Sequence, residues 1–249
     1  MEKQAAYFIS DAHLGVSPRG SVPRREEHLI EFLKELEDKA THLFIAGDLF
    51  EFWYEYDFYA PSRYFRLWKA LAILKDKGCE VKLLKGNHDF AYRNFFEREL
   101  GIEACSHIVA ELHGRRVYIC HGDGLAKVDG SYKFFRKILD FKLNRLLFKW
   151  LHPDIGMRLA LYVGSNSRDF NKKRMVPEEE YLAQIREIMQ KNNCDTFVHG
   201  HNHLGGLWKV PEGVVVNCGQ WLFEENFSCI SKKICYFYPS LLTEPSSAS

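Results

Sequence analysis

Five short apolar runs, each ending in a cluster of Asp, His, Asn and Gly, constrain the fold of this 249-residue chain more than any other feature. Ala6–Ile9 runs into Ser-Asp-Ala-His, Leu43–Ala46 into Gly-Asp, and Val81–Leu84 into Lys-Gly-Asn-His-Asp. Val117–Cys120 precedes His-Gly-Asp, and Thr196–Val198 precedes His-Gly-His-Asn-His. Runs this short, rich in β-branched and aromatic residues, predict buried strands. Val214–Asn217 and Ile234–Tyr238 predict two more. Between the first three runs, Leu29, Phe32, Leu33 and Leu36, and then Tyr64, Leu67, Trp68, Leu71 and Leu74, recur at helical spacing. Strand and helix in alternation predict an α/β fold with a mainly parallel sheet. Ligands of such folds gather beyond the carboxyl ends of the strands, where the polar clusters lie.

Ser131–Gly164 breaks this rhythm: it is helical in pattern, interrupted at His152-Pro153, and separates the fourth run from the fifth. It reads as a helical insertion over the site, within one domain spanning 1–249. The insertion extends to about residue 174, and a flexible tail is expected from about residue 243. The seven cysteines form no Cys-x-x-Cys pair, which argues against a zinc ribbon or a thioredoxin-like site. The chain reaches its first strand at once and carries no apolar run of the roughly 18 residues a membrane span needs. A cytoplasmic protein with reduced thiols is expected.

Each polar cluster alone is weak. Asp11-Ala12-His13 is also a common strand-end cap, Gly47-Asp48 a common turn, and His121 in His121-Gly122-Asp123 could be a satisfied core histidine. Gly86-Asn87-His88-Asp89 is more specific. In Gly200-His201-Asn202-His203 the alternate histidines suit a metal ion. All five occur in one chain, in the order D-x-H, G-D-x-x-E, G-N-H-D, H-G-D, G-H-x-H, each after a predicted strand. That series resembles the calcineurin-like metallophosphoesterases over nearly the whole chain. The resemblance implies a four-layer αββα sandwich, with a pair of sheets between helices and the insertion capping the active site. It also implies two divalent metal ions, with Mn²⁺ expected and Fe²⁺ or Zn²⁺ as alternatives for a mixed oxygen and imidazole site. Asp11, His13 and His203 would hold the first ion and Asn87, His121 and His201 the second, with Asp48 bridging. His88, oriented by Asp89, would be catalytic, Glu51 would support the ligands from behind, and His199 would be structural.

Nucleases, protein phosphatases and pyrophosphatases share such a site, so the substrate must be read elsewhere. Gly47-Asp48-Leu49-Phe50-Glu51-Phe52-Trp53 is similar to the second motif of the UDP-2,3-diacylglucosamine pyrophosphohydrolase family of lipid A synthesis. The stretch from Arg158 through Ser167, Asn171 and Arg174 resembles that family's substrate-binding helix. There Ser167, Asn171 and Arg174, with Asn87 at the metal site, would contact the sugar and its phosphate. The resemblance thus implies hydrolysis of UDP-2,3-diacylglucosamine to UMP and 2,3-diacylglucosamine 1-phosphate (lipid X). Two positions depart from the pattern: His88 stands where the best-known members carry Arg, and Gly164 where a basic contact is expected. A phosphoesterase acting on another nucleotide diphosphate or phosphoester is the alternative. From Ser131 to Arg174 there are eleven Lys and Arg against three Asp, an excess of +8 in a chain whose total is +1. With its many Phe and Leu residues, this stretch suits an anionic amphiphile and peripheral contact with the cytoplasmic face of the inner membrane. The alternative is that its apolar side chains pack on the sheets and its lysines are solvated. No nucleic-acid partner is expected, because the basic residues lie in one aromatic-rich segment instead of along a groove. A non-enzymatic scaffold on this fold would lack several ligands, and every one is present.

Overall fold

A computed structural model describes residues 5–16, 24–56, 59–89, 92, 94–125, 148, 150–159, 161, 178–240 and 246–248. One sheet contains, in spatial order, β12 (Ser246–Ala248), β11 (Ile234–Tyr238), β10 (Phe227–Ser231), β1 (Ala5–Ile9), β2 (Ala40–Ile45), β3 (Glu80–Leu84) and β4 (Glu103–Cys105). The other runs β5 (His107–Leu112), β6 (Arg115–Cys120), β7 (Thr196–His199), β9 (Gly213–Asn217) and β8 (Gly206–Val210). Helices α1 (Arg25–Leu36), α2 (Phe65–Asp76) and α3 (Phe95–Leu100) precede β5 in the chain. Helices α4 (Glu178–Asn192) and α5 (Trp221–Glu224) follow β6.

Alternation along the strands builds the layers, since successive side chains on a strand face opposite sides of the sheet. Leu43 and Ile45 of β2 pack with Leu29 and Leu33 of α1 and Leu67 and Leu71 of α2. Phe44 and Ala46 face the other way and join Val117, Ile119, Val198, Val214 and Val216 of the second sheet. There Phe197 and Val215 face Ile185 and Met189 of α4. Helix, sheet, sheet and helix are therefore stacked in that order. Strands buried on both faces need near-continuous apolar runs, which is why they stand out in the sequence.

The sheets are less parallel than the sequence suggests. The pairs β1–β2, β2–β3 and β3–β4 in one sheet and β6–β7 and β7–β9 in the other are parallel. The remaining five pairings among the described strands are antiparallel, including β1–β10 in the middle of the larger sheet. The expected flexible tail is also corrected in part. Residues 246–248 form β12, pairing Cys235 with Ala248 and Tyr236 with Ser247. The parallel strands of both sheets end on one rim, and the polar clusters emerge there. Within 131–174, residues 148, 150, 153–159 and 161 are described and helical, with Pro153 opening a helical stretch where its missing N–H costs nothing.

Candidate metal centre

The first two clusters continue the ladder of β1 and β2 as paired loops. Asp11 N–H donates to Gly47 O (3.1 Å), His13 N–H to Asp48 O (3.0 Å), and Glu51 N–H to Leu14 O (2.9 Å). The second sheet closes on them, with His121 Nδ1–H donating to Ala46 O (2.8 Å) and His201 N–H to the Asp11 carboxylate (3.0 Å). Asp11, His13, Asp48, His201 and His203 all have positive φ, between 43° and 71°. Residues other than glycine seldom adopt this conformation, and such strain persists where the surrounding structure over-determines it, most often at functional sites. Two motif glycines are required by close approach. A Cβ at Gly86 would strike the Asp48 carboxylate, and one at Gly200 would strike Ser10 and Asp11.

All seven sequence-predicted metal ligands meet here. Asp11, His13 and His203 offer ligand atoms within 4.8 Å of one another, as do Asp11, Asp48 and His121. Asn87 Oδ1 lies 3.1 Å from His121 Nε2 and 2.9 Å from His201 Nδ1. Asp48 Oδ2 lies between the two groups, 3.2 Å from His121 Nε2 and 3.9 Å from His13 Nε2. Two observations fit divalent ions. His13 Nε2 is buried without a hydrogen-bond partner, facing Asp11 Oδ1 at 3.7 Å. The outer ring nitrogens are also tied back, His121 Nδ1 to Ala46 O and His13 Nδ1 to the Glu51 carboxylate (3.0 Å). Such ties fix the tautomer and aim the inner nitrogen, as around metal-ligating histidines generally. The donors are oxygen and imidazole nitrogen, without thiolate.

The charges are strongly coupled. Burial opposes ionisation of Asp48, but His121 and then His88 outweigh it and hold the carboxyl well below the usual carboxylate range. Asp11 is likewise held low against its burial by His203 and His13. Burial alone would keep His121 neutral, yet Asp48 and Asp11 push it up to about 10. His88 is pushed down to about 4 by burial. Its Nδ1–H donates to Glu51 O (2.9 Å), and Nε2 has no hydrogen bond to the described residues.

The expectation that Asp89 orients His88 is corrected. Asp89 Oδ2 accepts the backbone N–H of Asp48 and of Gly86, both at 3.0 Å, and Oδ1 accepts the Tyr92 hydroxyl at 3.0 Å. Burial and then the Asp48 charge push Asp89 up to about 7. His199 is buried, with Tyr181 Oη and Gly200 O about its Nδ1, and burial pushes it down to about 4. Ser167, Asn171 and Arg174 lie outside the described residues. The sequence reading missed Ser10, whose hydroxyl donates to Asp11 Oδ2 (2.5 Å). It also missed Arg25, whose buried guanidinium donates to Ala12 O (3.2 Å) and His13 O (3.0 Å). Ser10 acts on the ligand carboxylate itself and adjoins Asp11 in the first cluster, whereas Arg25 acts on the backbone of the ligand loop from a distance in sequence. Immediately after Glu51, Phe52, Tyr54 and Tyr56 line a cavity of about 160 Å³ with Tyr59, Phe148 and Met157. The alternation of aromatic residues at 52, 54 and 56 is its trace in the sequence.

The calcineurin-like phosphoesterase family profile matches residues 6–205. A protein named UDP-2,3-diacylglucosamine hydrolase from Porphyromonas gingivalis is 30% identical over 216 residues, 80% of this chain and 82% of its own. One of the same name from Yersinia enterocolitica is 31% identical over 199 residues, covering 79% and 80%. Among solved structures, vacuolar protein sorting 29 from Cryptosporidium parvum aligns over 98% of this chain and 95% of its own. Its TM-score is 0.50 at 12% identity, a likeness of fold alone. The ordered motifs, the two sheets that bring them to one rim, and the profile match together place this chain in the calcineurin-like phosphoesterase family.

Proposed function

We propose that this enzyme hydrolyses the pyrophosphate bond of UDP-2,3-diacylglucosamine, releasing UMP and 2,3-diacylglucosamine 1-phosphate. The observation that carries the reading is the pairing of the Asp/His cluster with an aromatic cavity that starts one residue beyond Glu51. The names of the two relatives, matched across four-fifths of both chains, support the same substrate. Bound at the cluster, two divalent ions, Mn²⁺ by preference, would polarise the phosphoryl group and activate a water for attack on phosphorus. Asp11, His13 and His203 would hold one ion, Asn87, His121 and His201 the other, with Asp48 shared. The protein's own part is to keep these side chains fixed, so that little reorganisation accompanies the reaction. His88 Nε2 has no partner among the described residues, and a bound phosphoryl anion would raise its proton affinity, so that it could serve the leaving oxygen.

The cavity walls Phe52, Tyr54, Phe148 and Met157 would receive acyl chain, and Asn87, Ser167, Asn171 and Arg174 the sugar phosphate. No described helix is long and apolar enough to cross a membrane. Trp150 (83% exposed), Ile155 and Leu159 are exposed apolar residues of the insertion and support peripheral contact with the cytoplasmic face of the inner membrane. Incubation with Mn²⁺ and UDP-2,3-diacylglucosamine should yield UMP and the lipid monophosphate by phosphorus NMR. Absence of UMP with a metal-loaded protein would reject the substrate. His88, in place of the Arg that the best-known relatives carry, favours a second reading in which another nucleotide diphosphate is hydrolysed.

A further inference from the structure

The Asp48 and Gly86 peptides belong to loops following different strands, and one buried side chain joins them. Asp89 Oδ2 accepts both N–H groups, each at 3.0 Å, while Asp48 Oδ1 accepts His88 N–H at 2.8 Å in return. Each loop thus donates a backbone N–H to a carboxylate of the other. This lock consumes one oxygen of Asp48 and turns the other, Oδ2, toward His121 and His13. It also holds Asp48 at a φ of 52°. Asp89 is 5% exposed, and its remaining oxygen is taken by the Tyr92 hydroxyl, itself packed in the aromatic cluster around Trp53. The His88 ring is held by a different group, the Glu51 carbonyl.

We propose that Asp89 is a positioning residue that sets the geometry of the two-ion centre by hydrogen bonding to the Asp48 and Gly86 peptides, not by acting on His88. The proposal rests on the two-ion reading of the site. It makes a specific demand on substitution, because an asparagine can reproduce the lock. Its amide oxygen can accept both N–H groups, and its NH₂ can donate to a Tyr92 hydroxyl that rotates to accept. An alanine leaves two buried N–H groups unpaired and frees the bridging loop.

The test is metal content and affinity, by elemental analysis and Mn²⁺ titration, on wild type, Asp89→Asn and Asp89→Ala, with UMP release measured in parallel. Asp89→Asn should bind two ions per chain with turnover within about tenfold of wild type. Asp89→Ala should bind the second ion about 10–100-fold more weakly, the usual cost of losing an outer-shell partner. Should Asp89→Ala not fold, Asp89→Asn alone decides. A folded Asp89→Asn that loses an ion, or that keeps two ions and loses turnover as fully as His88→Ala, overturns the proposal. A wild type that binds fewer than two ions overturns the two-ion reading and the proposal with it.

Discussion

At the residue scale, the ligand cluster is a lattice in which each charged group holds its neighbours. Asp48 is the shared element, so Asp48→Ala should remove an ion and abolish turnover even at saturating Mn²⁺. Near-wild-type kcat in that variant would contradict its assignment. His88→Ala spares the ligands and should cost about 10²–10⁴ in rate, as for a positioned acid. The His121–Asp48 pair also makes a prediction for the chelated protein. Burial works against charge on His121 and the carboxylates outweigh it, raising its value to about 10. A raised imidazole stabilises the fold fully below its unfolded value of about 6.5, and that contribution is lost as pH rises toward 10. Replacing Asp48 by Asn removes the main opposing charge while burial remains. The His121 ring should then be neutral at pH 8, where the chelated wild type keeps it cationic. Nitrogen-15 NMR of the imidazoles distinguishes the two.

At the element scale, two mixed sheets place five strand ends on one rim. The interior between them is apolar, with Phe8 stacked on Phe44 at 5.2 Å and both fully buried. Phe44→Ala should lower the unfolding free energy by about 3–5 kcal/mol, the usual cost of emptying such a site. Urea denaturation read by far-ultraviolet circular dichroism would show it, and a loss below about 1 kcal/mol would contradict the packing described. The strands buried on both faces were legible because their apolar runs are nearly continuous. β10 was not: Phe-Ser-Cys-Ile-Ser alternates weakly, and only its neighbours show that it belongs beside β1. β12 was hidden for a related reason. Ser-Ser-Ala offers little apolar surface, so its place rests on main-chain pairing with β11 and on Ala248 alone reaching the core. The ligands themselves were legible because each stands within a few residues of a strand end. Arg25, Tyr92 and the true partners of Asp89 were not, since those contacts are set by how separate loops meet.

For the whole molecule, the stretch 131–174 sets eleven Lys and Arg against three Asp in a sequence rich in Phe and Leu. If the insertion contacts an anionic membrane, binding to anionic vesicles should be peripheral and salt-sensitive, at about 1 kcal/mol per basic residue near the surface. Replacing Lys133, Arg136 and Lys137 by Gln should weaken it without changing metal content. A wild type that ignores such vesicles at low salt would remove the membrane from the account and leave the chemistry intact. The central claim is that binding energy from an acylated nucleotide substrate is used at this two-ion site. Its most direct measurement is kcat/KM for UDP-2,3-diacylglucosamine against that for p-nitrophenyl phosphate, in one Mn²⁺-loaded preparation. The value expected for the UDP-lipid is at least about 10³-fold higher, with UMP as product. Equal values for the two would contradict it and leave a general phosphoesterase.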